Sequence, residues 1–173
     1  MYDNKILDYY IEHPDELRWS KAWLRQHFNC TAEGRKICGG KCCIHKTGKI
    51  FVKYYDTEWK LIPDDIKEII KPHLNSDRKV IHKEGVCTLV DFCLKYPKWK
   101  PRECKLTPLS ITKKGVLRVS YQKICATPPN FDTFNCPMYK KGPEVWVALK
   151  DNLIDLFGEE FYDRLESDMN SKI

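Results

Sequence analysis

No apolar run in the sequence approaches the length of a membrane span, which excludes a chain that crosses a bilayer by helices. The opening Met1-Tyr2-Asp3-Asn4-Lys5 has no basic region leading into an apolar one, so no secretory leader is predicted and a cytoplasmic protein is expected. Glycine is scarce: there are eight, and none forms G-x-G-x-x-G, so the usual strand–turn–helix for nucleotides is missing. Histidine is scarcer, with five. His13, His27, His73 and His82 are scattered and carry no assignment, and His45, beside a cysteine group, reads as a surface residue. Neither a Ser/His/Asp set nor a glycosidase-like carboxylate pair stands out. Asp151, Asp155 and Glu159 lie four apart and read as the polar stripe of a helix. Repeats, low-complexity tracts and interdomain linkers are lacking too. With 173 residues, 42% hydrophobic and 31% charged, the expectation is a single domain large enough to bury a core.

What the sequence has in excess is cysteine, with nine. In a reducing compartment disulfides rarely persist, so clustered cysteines point to metal or redox chemistry. The competing reading is buried cysteine acting as a small hydrophobe. Spacing favours metal. Cys38-Gly-Gly-Lys-Cys42-Cys43 sets three sulfurs within six residues, and its two glycines let the backbone turn tightly around an ion. Cys30 precedes this knot, and Cys87, Cys93, Cys104, Cys125 and Cys136 follow in the second half. All nine are candidate ligands. Thiolates are soft donors suited to zinc and to iron–sulfur clusters, and four of them form a tetrahedral cage. Adjacent cysteines on an extended backbone point in opposing directions, so Cys42 and Cys43 serve different ions or one of them is structural. Sites closed within each half and sites shared between the halves both fit the spacing. An all-sulfur set larger than one zinc requires favours an iron–sulfur cluster over Zn²⁺, and Cys136-Pro137 has the form of a ferredoxin-type cluster loop.

The net charge of +6 is uneven. From Arg78 to Lys123 twelve Lys or Arg face three acids, a local balance of about +9. From Glu144 to Asp168 eight acids face Lys150 and Arg164. The basic excess around Cys93 and Cys104 would offset the negative charge of a four-thiolate site and depress thiol pKa values. The same stretch interleaves Tyr96 and Trp99 with Lys95, Lys98, Lys100 and Arg102, as a nucleic-acid surface would.

Along the chain, Ile6, Leu7, Tyr10 and Ile11 predict a first helix ending at His13-Pro14, and Leu17, Trp19, Trp23 and Leu24 predict a second from Asp15 or Glu16 to His27. A loop carries Cys30 to Cys43. Lys49 to Tyr55 reads as a strand, Pro63-Asp64-Asp65 as the start of a helix buried through Ile66, Ile69 and Ile70, and Arg78 to His82 as a short strand. Cys87 to Cys104, broken by Pro97 and Pro101, reads mostly as loop. Leu109 to Thr112 and Val116 to Tyr121 predict a hairpin turning at Lys113-Lys114-Gly115. Cys125 to Gly142 reads as irregular. Pro143 then opens a helix with Val145, Leu149, Leu153 and Phe157 spaced by four, followed after Gly158 by a run carrying Phe161 and Leu165. The expected fold is a single small α+β domain: a helical segment 1–28, a metal core 30–136 and helices over 143–168, arranged around a short hairpin and cysteine-rich loops.

The run Cys30…Cys38-x3-Cys42-Cys43, followed by Cys87-Thr-Leu-Val-x2-Cys93-Leu-Lys-Tyr-Pro-Lys-Trp-Lys-Pro-Arg-Glu-Cys104-x3-Pro108-Leu109, resembles the YkgJ-like CxxCxxCC family of zinc- or iron-chelating domains, which includes flagellin lysine N-methylases. Cys42 and Cys43 match its doublet, Cys93 and Cys104 its later cysteines, Lys100-Pro101 its basic-proline pair and Pro108 the proline that follows. Seven residues separate Cys30 from Cys38 where the family has two, and three separate Cys38 from Cys42. The resemblance implies metal binding in a structural or redox role. Two alternatives accompany it: an S-adenosylmethionine-dependent protein lysine methylase with a protein substrate, and a zinc-stapled module that binds nucleic acid through the basic segment 78–123.

Overall fold

The computed structural model describes residues 4–27, 52–83, 86–119 and 142–171. They form a mixed helix-and-sheet fold whose contacts gather into two compact units, residues 1–38 with 106–173 and residues 39–105.

In the first unit, α1 (Asn4–Glu12) buries Leu7 and lays Tyr10 and Ile11 against the core. The expected second helix is corrected. Pro14–Glu16 is a single 3-10 turn, Arg18–Trp19 is a strand (β1), and α2 covers only Lys21–Leu24. The reason is pairing. The Arg18 amide donates to Gly115 O at 2.9 Å and the Ser20 amide to Leu117 O at 3.3 Å, so these groups are engaged in a sheet and not in a helix. Leu17 points inward and Arg18 outward, the two-residue period of a strand.

The expected hairpin is present as β4 (Leu109–Ile111) and β5 (Val116–Val119), antiparallel with Leu109 opposite Val119 and Ile111 opposite Leu117. Gly115 takes φ +68 at its turn. β1 joins the far side of β5 in parallel, with Arg18 opposite Val116, giving the order β1-β5-β4. The C-terminal helices follow the apolar spacing. Val145–Ala148 precedes Lys150–Phe157, and Gly158 at φ +86 separates the latter from Glu159–Asn170. We call the last two α-C1 and α-C2. Val145, Leu149, Leu153, Phe157, Phe161, Leu165 and Met169, spaced by four, are all buried, so one stripe of side chains runs through the successive helices into the core. Glu159 and Glu160 sit in the first turn of α-C2, where the helix dipole favours acids.

In the second unit, the strand expected over Lys49 to Tyr55 is not formed in its described part. Lys53 makes a single bridge to Lys79, and Tyr55 already caps a helix over Asp56–Leu61. Glu58 in its first turn accepts the Tyr55 amide at 3.1 Å, half of a capping box, and this local bond turns the chain out of the extended state. The helix expected at Pro63 runs over Asp64–Ile70 and buries Ile66 and Ile70, while Ile69 is exposed. Lys79 and Val80 make isolated bridges, and His82–Lys83 (β2) pairs with Val86–Cys87 (β3). The loop expected over Cys87 to Cys104 is corrected as well: Val90–Lys95 is helical, Pro97–Trp99 is a 3-10 turn, and Arg102–Leu106 is a further helix. Pro97 opens the turn, and Pro101 O receives the amides of Cys104 and Lys105 at 2.8 and 3.0 Å. Both prolines start elements instead of breaking them. The core here is Tyr54, Ile62, Ile66, Ile70, Val80, Leu89, Phe92 and Cys93.

Candidate metal centre

Three of the nine cysteines lie within the described residues, all in the second unit. Cys87 stands on β3 opposite His82, Cys93 on the Val90–Lys95 helix and Cys104 on the Arg102–Leu106 helix. Regular elements carry them, not loops. Each is a thiol. Cys93 is buried, because Leu89, Phe92, Cys93 and Tyr96 form one helical face against the core. Cys30, Cys38, Cys42, Cys43, Cys125 and Cys136 lie outside the described residues, as does His45.

The other two thiols act on the ionisation of Cys104. Burial pushes the Cys104 thiol well above its ordinary range, Cys93 and then Cys87 push it further, and Glu103 adds to them. Lys100 pulls the other way, as a cation beside a thiol should, and is outweighed. The same groups act on Tyr54. Burial raises its hydroxyl most, and Cys93, Glu58, Cys104 and Cys87 contribute in that order. Among the described residues, however, no group of three or more His, Cys, Asp or Glu side chains is close enough to hold an ion by itself. Among the described residues the trio does not form a closed cage.

Around it lies a polar shell that the sequence did not announce. Tyr54, 1% exposed, donates its hydroxyl to Trp99 O at 2.8 Å. Glu58 accepts the Arg102 amide at 2.9 Å, and burial raises its carboxyl above the ordinary range. The Arg102 guanidinium stacks 3.7 Å above the Tyr55 ring, a desolvated cation–π contact. Burial, with the Glu58 charge adding to it, pushes Glu103 up to about 7. Arg102 and Glu103 are both only 8% exposed. Buried charges of opposite sign on adjacent residues are costly to dehydrate and are retained where they are held by neighbours. One signal was available: Arg-Glu directly before a cysteine, between a proline and an apolar residue, in a segment that had to be compact.

No helix among the described residues is long and apolar enough to cross a membrane. No family model, no curated protein and no solved structure matches the chain. The likeness to the YkgJ-like family therefore stands on the cysteine spacing.

Proposed function

We propose that the chain is a cysteine-ligated metal-binding protein of the YkgJ-like kind, holding an iron–sulfur cluster in preference to Zn²⁺, in a structural or redox role. The observation that carries this reading is that Cys87, Cys93 and Cys104 stand on three different elements of one unit, with Cys93 buried and both it and Cys87 acting on the ionisation of Cys104. Soft thiolate donors fit a thiophilic metal better than a hard one. A four-thiolate site needs one sulfur more. In the sequence the doublet Cys42-Cys43 offers two candidates for it. Metal stoichiometry decides whether Cys30, Cys38, Cys125 and Cys136 hold a second ion.

The group would supply either electron transfer or a covalent staple. The protein's own part is to bury Cys93, to offset charge through Lys100, and to lock the Cys104 helix through Glu58 and Arg102. Anaerobic purification with elemental analysis, sulfide assay and a visible spectrum tests the reading. A brown protein with iron and sulfide supports a cluster, and a colourless one with stoichiometric zinc supports a staple. Folded protein containing neither overturns both.

A further inference from the structure

The formal charge of +6 is not shared between the two units. Residues 39–105 hold fifteen Lys and Arg against nine Asp and Glu, and the remainder of the chain holds fifteen against fifteen. The second unit carries all of it. Lys67, Lys71, Arg78 and Lys79 are engaged by Asp64, Glu68, Asp56 and Asp77. Lys95 and Lys98, both exposed, pair with no carboxylate among the described residues; they lie over rings. Lys95 Nζ is 5.3 Å from the centroid of Tyr96, and Lys98 Nζ is 5.0 Å from that of Trp99.

Those two rings belong to one rigid turn. The Trp99 amide donates to Tyr96 O at 3.0 Å, and Pro97–Trp99 is a 3-10 turn. Tyr96 closes the Val90–Lys95 helix and caps the turn, so one backbone hydrogen bond ties the two ring-bearing residues together, with Lys95 at the helix end and Lys98 within the turn. Both rings are half-buried and packed on the core from one side, Tyr96 with its centroid 5.2 Å from that of Phe92. Pro97 fixes the backbone at the start of the turn, and the Tyr54 hydroxyl pins its end at Trp99 O. The result is a preorganised ledge of two aromatic groups, each with an ammonium above it.

We propose that this Tyr96–Trp99 ledge is a stacking site for single-stranded nucleic acid. Unpaired bases present faces that stack on rings and are followed by a phosphate at every step, the alternation that the ledge mirrors. An exposed lysine–ring contact is weaker than a base–ring stack, so an incoming base displaces each ammonium onto a neighbouring phosphate. An acidic polypeptide would use the lysines and leave the rings idle. A duplex keeps its bases stacked on one another. The proposal rests on the fold of this unit and is independent of which metal the cysteines hold.

The test uses the full chain and fluorescein-labelled oligo-dT and oligo-U strands, with anisotropy read between about 50 and about 200 mM salt. Both strands bind, and affinity falls steeply with salt. A Lys95→Gln/Lys98→Gln variant, changed only at exposed positions, retains wild-type metal content. Its dependence of log affinity on log salt is shallower by about 1.4, the share of two phosphate contacts on a single strand. Trp99→Ala weakens binding by about fivefold to a hundredfold, the range that loss of one stacked base predicts, while Trp99→Phe keeps most of it. Should Trp99→Ala fail to fold, the lysine pair and Trp99→Phe still decide. No binding at the lower salt, an unchanged slope in the lysine variant, or equal affinity for a duplex or for polyglutamate overturns the proposal.

Discussion

Trp19 donates its indole N–H to Asp168 Oδ2 at 2.8 Å, while Lys21 Nζ meets Oδ1 of the same carboxylate at 2.8 Å. One acid near the end of α-C2 thus fastens β1 and the start of α2. Lys21 Nζ also donates to Asp168 O at 2.7 Å and Arg25 to Met169 O at 3.0 Å, so cations satisfy the orphan carbonyls of the helix C-terminus.

The Lys21 bond, then the Trp19 bond, hold the Asp168 carboxyl below its usual range. A depressed folded pKa contributes stability above the unfolded value of 3.8, and that contribution is lost as pH falls through the depressed folded one. Asp168→Asn therefore lowers the thermal midpoint at neutral pH by a few degrees at most, since the pair is partly exposed and solvent screens it. The gap to wild type closes as the solution is acidified through the carboxylate range. Thermal scans of both proteins across that range check it, and a gap that stays constant with pH contradicts the assignment.

Gly115→Ala tests the hairpin turn. The backbone there is left-handed, and an added Cβ would overlap the hydroxyl end of Tyr10 from α1. The strained backbone alone costs roughly 1–3 kcal/mol, and the clash adds to it. Denaturant midpoints of Gly115→Ala, Tyr10→Ala and the double variant separate the two. The double variant is less destabilised than the sum of the singles, because shortening Tyr10 removes the overlap. Strict additivity would mean that the two residues do not meet.

The elements legible in the sequence are those whose signals are local. The stripe from Val145 to Met169 has one helical period, Lys113-Lys114-Gly115 has turn chemistry, and Pro63-Asp64-Asp65 marks a helix start. Residues 17 to 24 failed because Leu17, Trp19 and Leu24 fit both a helix and a strand followed by a helix. The choice is made by β5, nearly a hundred residues onward, which recruits Arg18 and Trp19 in parallel. The helix over Val90–Lys95 was present as Leu89, Phe92, Cys93 and Tyr96, but the prolines at 97 and 101 obscured it by being read as breakers. Within the candidate site, composition singles out the cysteines. Tyr54, Glu58 and Arg102 carry no metal-like pattern: Arg102 lies on the Cys104 helix itself, while only tertiary packing brings Tyr54 and the helix-capping Glu58 to it.

Tyr54→Phe removes the donor that Trp99 O uses and leaves a carbonyl dehydrated without its partner, at a cost of about 1–2 kcal/mol. The change acts on the Pro97–Trp99 turn first. Faster hydrogen exchange at the Trp99 and Lys100 amides than in wild type, with the amides of α-C2 unchanged, is the expected pattern. Equal protection at the turn would show that the hydroxyl does not hold it.

Serine in place of Cys42, Cys93 or Cys104 is expected to lower metal content and solubility together, because forming the site and folding the chain draw on the same free energy. Packing must be separated from ligation, since Cys93 is also a core residue and a buried serine hydroxyl costs about 1–3 kcal/mol by itself. The separation comes from Cys104→Ser compared with wild type in two states. Stripped of metal by chelator, the two proteins differ in unfolding free energy by about 1 kcal/mol, the scale of an exchanged polar contact. Loaded anaerobically, wild type gains stability that Cys104→Ser does not, because only a species that binds the folded state raises it by mass action. The gain grows with pH. The ligand must lose a proton that burial, Cys93 and Cys87 hold on the Cys104 sulfur, and a metal competes with that proton better as pH rises. If the stripped and loaded proteins show the same gap between wild type and variant, the three thiols serve as small hydrophobes and the metal reading fails.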